Sequence, residues 1–145
     1  MKEGHLRWDS LGEYLAIAVA LERLAEVAGN PKAKLLGDCL NDAVGRILTN
    51  RKSPSRSVNQ IDNRATNFYI ALYWADCLQQ KDSTYKPIFD ELSKNRSKIV
   101  DEFKNCQGDP VDLGGYYLFN AKKCKAAMNP SPTLSKIMDS IGPTI

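Results

Sequence analysis

The sequence predicts an all-α protein. Three observations carry that prediction. Apolar residues recur at intervals of three and four through four long stretches. Helix-start residues stand just before several of them. Glycine, proline or polar links separate one stretch from the next. The expected architecture is an antiparallel bundle of four long helices with a short C-terminal appendage, as a single domain over 1–145.

The first helix is expected from Ser10 to Ala28. Ser10 and Glu13 have the spacing of a capping box, in which hydroxyl and carboxylate satisfy each other's free amides. Leu11, Tyr14, Leu15, Ala18, Leu21, Ala25 and Ala28 form the apolar stripe, widened by Ile17, Leu24 and Val27. Gly29 ends it, because glycine turns left-handed without strain. Asn30 then caps a second helix with Pro31 at its first position, where a missing amide costs nothing. Leu36, Leu40, Ala43, Val44, Ile47 and Leu48 should be its buried face. Residues 50–60 are polar, serine-rich and basic, and read as a loop.

The third helix starts near Asp62 and runs to about Gln80. Phe68, Tyr69, Ile70, Leu72, Tyr73, Trp74 and Leu78 surround it, as in a helix buried on several sides. A fourth begins near Pro87 and carries Ile88, Phe89, Leu92, Ile99, Val100 and Phe103. Gln107-Gly108-Asp109-Pro110 breaks the pattern. Val111 to Leu118 is expected to be extended, with Gly114-Gly115 inside it and two packed tyrosines after them. Two short helices follow, Asn120–Met128 and Ser131–Ile141, the second capped by Ser131.

Composition narrows the class. At 145 residues, 43% apolar and 26% charged, the chain can bury a core without disulfide staples. A net charge of +3 is too small to imply a nucleic-acid partner by itself. The longest apolar runs, Tyr14–Leu21 and Phe68–Ala75, are eight residues each, against the roughly 20 a membrane span needs. Asp9 and Glu13 precede the first run where a signal peptide would be basic. Cys39, Cys77, Cys106 and Cys124 are widely and irregularly spaced, so four free and mostly buried thiols in a cytoplasmic protein are expected. With His5 as the sole histidine, neither a zinc site nor a nucleophilic triad has support. No acidic cluster suits a hard divalent metal.

Two segments carry binding chemistry. Arg7-Trp8-Asp9 places a guanidinium, an indole and a carboxylate before a helix N-terminus, which suits an anion or a nucleotide. The bland alternative is a capped helix start with Trp8 packed as a staple. Arg51, Lys52, Arg56 and Arg64 lie among serines that suit a phosphate, or else form a solvated basic loop.

The order of these motifs resembles a known family. His5-Leu6-Arg7-Trp8-Asp9-Ser10-Leu11-Gly12-Glu13, Asn30-Pro31-Lys32-Ala33-Lys34, Ser53-Pro54-Ser55-Arg56 and Asp62-Asn63-Arg64 come first. Phe68 to Ala75, Asp112-Leu113-Gly114-Gly115-Tyr116-Tyr117 and Ala127-Met128-Asn129-Pro130-Ser131 complete the set. Together they resemble the C-terminal end of the monomeric-type NADP-dependent isocitrate dehydrogenases, over nearly the whole chain. That family oxidises isocitrate with NADP⁺ and decarboxylates it to 2-oxoglutarate, using Mg²⁺ or Mn²⁺. The resemblance implies that Arg7, Trp8 and Asp9 line the NADP pocket and that Arg56 joins Arg7 at the adenosine 2′-phosphate. It assigns Arg64 no cofactor contact.

The resemblance also implies what is missing. The family's members are several times longer, and Met1 falls where they are mid-chain. Their isocitrate-binding arginines, metal-binding aspartates and acid–base tyrosine and lysine lie upstream of this segment. So does a histidine that shares the 2′-phosphate. Three expectations follow. The chain keeps part of an NADP site and is inactive alone. A face bare of its usual neighbour leads it to self-associate or to dock with a complementary N-terminal polypeptide. Nucleic-acid binding through Arg7, Arg51, Lys52, Arg56 and Arg64 is the weakest of the alternatives.

Overall fold

A computed structural model describes residues 2–142. Within them are seven α-helices and no strand beyond one isolated antiparallel bridge, Glu3 with Ser57. The helices are α1 (Leu11–Ala28), α2 (Pro31–Thr49), α3 (Asn63–Lys81), α4 (Lys86–Lys94), α5 (Arg96–Asn105), α6 (Ala121–Met128) and α7 (Pro132–Ile141). A 3₁₀ turn, Ser83–Tyr85, leads into α4. The all-α class is what the periodicity predicts. No described helix is long and apolar enough to cross a membrane.

Packing runs along the chain: α1 on α2, α2 on α3, α3 on α4 and α5, and α7 on α4 and α5. The core centres on α3, whose Phe68, Ile70 and Leu72 belong to one buried cluster with Leu40 and Ile47 of α2, Ile99 and Phe103 of α5 and Ile137 of α7. A satellite cluster holds Cys39, Cys77 and Leu78, with the Trp74 indole donating to the Leu36 carbonyl at 3.0 Å.

Local chemistry sets most helix ends. Gly29 takes φ 59°, and the Asn30 side chain accepts from the amides of Lys32 and Ala33 at 3.0 and 3.1 Å. Asp62 caps α3 and Ser131 caps α7 in the same way. Glu102 of α5 accepts from the hydroxyls of Ser131 and Thr133, which ties α7 to the core.

Four expectations are corrected. The Ser10 side chain caps no helix amide. Asp9 Oδ1 takes the Leu11 amide at 2.8 Å, and Ser10 Oγ accepts instead from the Asn63 amide group at 2.9 Å. The α1 stripe is only partly covered. Leu11 and Ala18 are buried, while Leu15, Ile17, Leu24 and Val27 stay exposed, because among the described residues α1 packs chiefly on α2. The fourth long helix is two helices, so the four-helix arrangement is not what forms. Asn95 sits near φ −94°, ψ 5°, and its side-chain amide donates to the Glu91 carbonyl at 2.9 Å. That bond offers the backbone an alternative to the helical ladder. Residues 111–118 form bends rather than a strand, and Tyr116 and Tyr117 are exposed rather than packed into the fold.

Only two of the four thiols are buried. Cys39 and Cys77 lie inside, Cys124 is half-buried and Cys106 is exposed. Burial, then the hydrogen-bonded Cys77 beside it, pushes the Cys39 thiol up to about 12.

Candidate functional site: a paired-arginine corner

The N-terminal segment lies along the 50–62 loop and is zipped to it by backbone. Gly4 N donates to the Arg56 carbonyl at 2.8 Å, Val58 N to the Lys2 carbonyl at 3.3 Å, and Asn63 N to the Leu6 carbonyl at 2.7 Å. The Asn63 side chain adds a bond to the Trp8 carbonyl at 2.8 Å. The loop itself is folded back by Ser55 N on the Ile61 carbonyl at 2.7 Å. These bonds fix the register of two segments that the sequence leaves unrelated.

That register brings Arg7 and Arg56 to one place. Arg7 Nη1 bonds Glu3 Oε2, and Arg56 Nη2 bonds Glu3 Oε1 at 3.1 Å. Each carboxylate oxygen therefore takes a different guanidinium. The hydrogen bond from Arg7, followed by the charge of Arg56, holds the Glu3 carboxyl below the usual carboxylate range. All three side chains are open to solvent. A carboxylate held between two guanidiniums stands in for the geometry an oxyanion such as a phosphate would meet. Trp8 follows directly, 48% exposed, with its indole outside the core rather than serving as a packed staple. Asp9 is engaged at the start of α1.

The other basic residues do not join this corner. Lys52 Nζ lies over the Tyr69 ring at 4.9 Å. Arg51 sits at φ 53° just past the end of α2. Arg64 is held by Asp62, Nη2 to Oδ2 at 2.6 Å, and donates to the Ala127 carbonyl at 2.6 Å. The predicted row of cations is thus dispersed, and a continuous phosphate-backbone track is not formed by it.

The Asp62–Arg64 pair was not legible as a unit. Asp62 Oδ1 caps α3 while Oδ2 also accepts from Gln107 Nε2 at 3.3 Å. Gln107 donates in addition to the Gln60 carbonyl at 2.9 Å. One nearly buried ion pair therefore joins the loop, α3, the end of α5 and α6. The Asp-Asn-Arg motif was its only signal in sequence.

Beside the corner is a cavity of about 540 Å³. Its lining includes Glu3, His5, Asp62, Arg64, Leu113 and Met128. Among the described residues no group of three or more His, Cys, Asp or Glu side chains could hold a metal ion. The described residues therefore do not fit the divalent metal that the resemblance implies.

Fold and corner together define a helical segment that presents two converging arginines at a helix start. The family model described as monomeric isocitrate dehydrogenase matches residues 1–139. An NADP isocitrate dehydrogenase of Azotobacter vinelandii is 47% identical over 93% of the chain but only 19% of its own length. A second such enzyme, from Mycobacterium tuberculosis, is 43% identical over 97% of the chain and 20% of its own length. One from Colwellia maris is 42% identical with the same coverage. The chain belongs to the monomeric isocitrate dehydrogenase family. It spans about a fifth of the length of the curated relatives it matches, as a C-terminal-type segment.

Proposed function

We propose that this chain carries the 2′-phosphate part of an NADP site, with Arg7 and Arg56 as the phosphate ligands and Trp8 and Asp9 beside them. The observation that supports the reading is the convergence of both guanidiniums on the two oxygens of Glu3. A 2′-phosphate offers the same pairing with more charge and a further oxygen. Charge-assisted hydrogen bonds of this type contribute about 1.5–3 kcal/mol each, and an arginine is what separates NADP from NAD. The relatives' names supply the nucleotide and the substrate: NADP and isocitrate.

In the reaction proposed for the whole polypeptide, NADP⁺ accepts a hydride from isocitrate. This segment's part is to bind and orient the adenosine end. It is expected to turn over no isocitrate alone, since orientation of both substrates and exclusion of water require the remaining four-fifths.

The test is an NMR titration of the two indoles with NADP⁺ and, separately, NAD⁺. Trp74 is an internal reference, because its indole is committed to the Leu36 carbonyl. The expected result is a Trp8 shift with NADP⁺ only, lost in Arg7→Ala and in Arg56→Ala. Equal shifts with both nucleotides, or none, would sink the proposal.

A further inference from the structure

The Arg7 side chain is open to solvent, yet the backbone that carries it is pinned by one buried residue. Asn63, the first residue of α3, is 2% exposed. Its backbone amide donates to the Leu6 carbonyl at 2.7 Å. Its side-chain amide donates to the Trp8 carbonyl at 2.8 Å and to Ser10 Oγ at 2.9 Å. Leu6 and Trp8 are the two neighbours of Arg7, so one residue holds the chain on both sides of it. The Arg7 amide in turn donates to the His5 carbonyl at 3.0 Å. The other end of the Asn63 side chain, Oδ1, accepts from Asn67 Nδ2 at 3.2 Å, one turn along α3.

This position requires an amide. A carbonyl only accepts, so the NH₂ end of Asn63 must face Trp8. Its oxygen then needs a donor, which Asn67 supplies. Asn67 Oδ1 is itself buried with no hydrogen-bond partner among the described residues, so the bond to Asn63 sets its orientation. We propose that Asn63 is the positioning residue for Arg7, clamping the carbonyls on either side of it and aiming its guanidinium at the phosphate corner. That role rests on the proposed function, which supplies the phosphate.

Two observations separate this role from a plain helix start. Asp62 already caps α3, accepting from the amides of Arg64 and Ala65. The Asn63 side chain makes no such bond; its donors go to Trp8 and Ser10, outside the helix. The clamp is also specific to one arginine. Arg56 is placed by other bonds, Gly4 N on its carbonyl and Ser55 N on the Ile61 carbonyl. The Arg7 side chain is 43% exposed, so its direction depends on where its backbone begins. Guanidinium–phosphate pairing is sensitive to direction, and a backbone fixed beforehand spares ordering cost when the anion binds.

The experiment uses Asn63→Ala, which removes the clamp's side chain while alanine keeps the helix propensity high. Two titrations read it. The first needs no nucleotide and follows the Glu3 carboxyl against pH by carbon-13 NMR. A loosened Arg7 holds Glu3 less well, so the carboxyl should titrate at higher pH than in the parent chain. In an Arg7→Ala background the same substitution should move it no further. The second follows the Trp8 indole, where Asn63→Ala should weaken NADP⁺ binding about tenfold. An unmoved Trp74 indole resonance checks the fold. If it moves, Asn67→Ala takes the place of Asn63→Ala, with the same directions expected at about threefold. An unchanged Glu3 titration, or an equal shift in the Arg7→Ala background, overturns the proposal. So does NADP⁺ affinity equal to that of the parent. A parent chain that shows no response to NADP⁺ sinks the proposed function, and the Glu3 titration still decides whether Asn63 positions Arg7.

Discussion

Glu3 and Arg56 stand 53 positions apart in the sequence, and Glu3 Oε1 meets Arg56 Nη2 at 3.1 Å. The second oxygen of the same carboxylate takes Arg7. On the proposed reading, Glu3 competes for the two guanidiniums with the nucleotide phosphate. Replacing it by glutamine removes the competing charge and leaves the backbone bridge to Ser57 in place. Glu3→Gln is expected to tighten NADP⁺ binding by a few-fold, as suits exposed ion pairs, with NAD⁺ unaffected. Titration of the Trp8 indole reads it; weaker binding in the variant would show that Glu3 supports the site rather than blocks it.

The same pairing sets a pH dependence. The folded Glu3 carboxyl lies below its ordinary value, through the Arg7 hydrogen bond first and the Arg56 charge second. Its contribution is thus fully present above the unfolded carboxylate range and is lost as pH falls through the lowered folded value. Acidification should loosen the N-terminal segment from the 50–62 loop while the α2–α3 core stays helical. Amide exchange at Gly4 and Val58, compared with far-ultraviolet circular dichroism, separates the two events.

Asp62 does two jobs with two oxygens, capping α3 and neutralising Arg64. Side-chain exposures of 10% for Arg64 and 7% for Asp62 make this a nearly buried pair. Asp62→Ala leaves an uncompensated guanidinium and an uncapped helix, and should cost about 3–5 kcal/mol in urea unfolding. A loss below about 1 kcal/mol would mean that Arg64 finds water or another acceptor.

The contact of α1 with α2 depends on a missing side chain. A Cβ at Gly37 would lie 3.1 Å from Leu21 Cβ and 3.2 Å from the Ala18 carbonyl oxygen. Gly37→Val should push α1 off α2 and destabilise by about 1–3 kcal/mol. Gly37→Ala should cost less, because helix propensity returns up to about 1 kcal/mol. Equal urea midpoints for the Gly37→Val variant and the parent chain would contradict the close approach.

Thiol reactivity should follow burial. Cys106 is exposed and should react first with a maleimide, Cys124 more slowly. Cys39 and Cys77 are buried, and the Cys39 thiol is pushed up to about 12, so both should wait for unfolding. Mass mapping after timed quenching gives the order.

The sequence by itself determined the features that local chemistry controls. Asn30, Asp62 and Ser131 cap with their own side chains, Gly29 turns left-handed, and the all-round apolar surface of α3 announces a central helix. Each depends on residues within one turn. The motifs that carry the family resemblance were equally legible, Arg7 and Arg56 among them. Tertiary structure decided the rest. The Ser10–Glu13 spacing permits a capping box, yet Asn63, distant in sequence, claims the hydroxyl. The α1 stripe states which residues are apolar but not how many neighbours will cover them. The Asn95 break depends on one side-chain amide competing with the backbone ladder. Above all, the arginine corner exists because backbone bonds zip residues 2–6 onto 56–63. Such pairing is between segments far apart in the chain, and no periodicity within either one encodes its register.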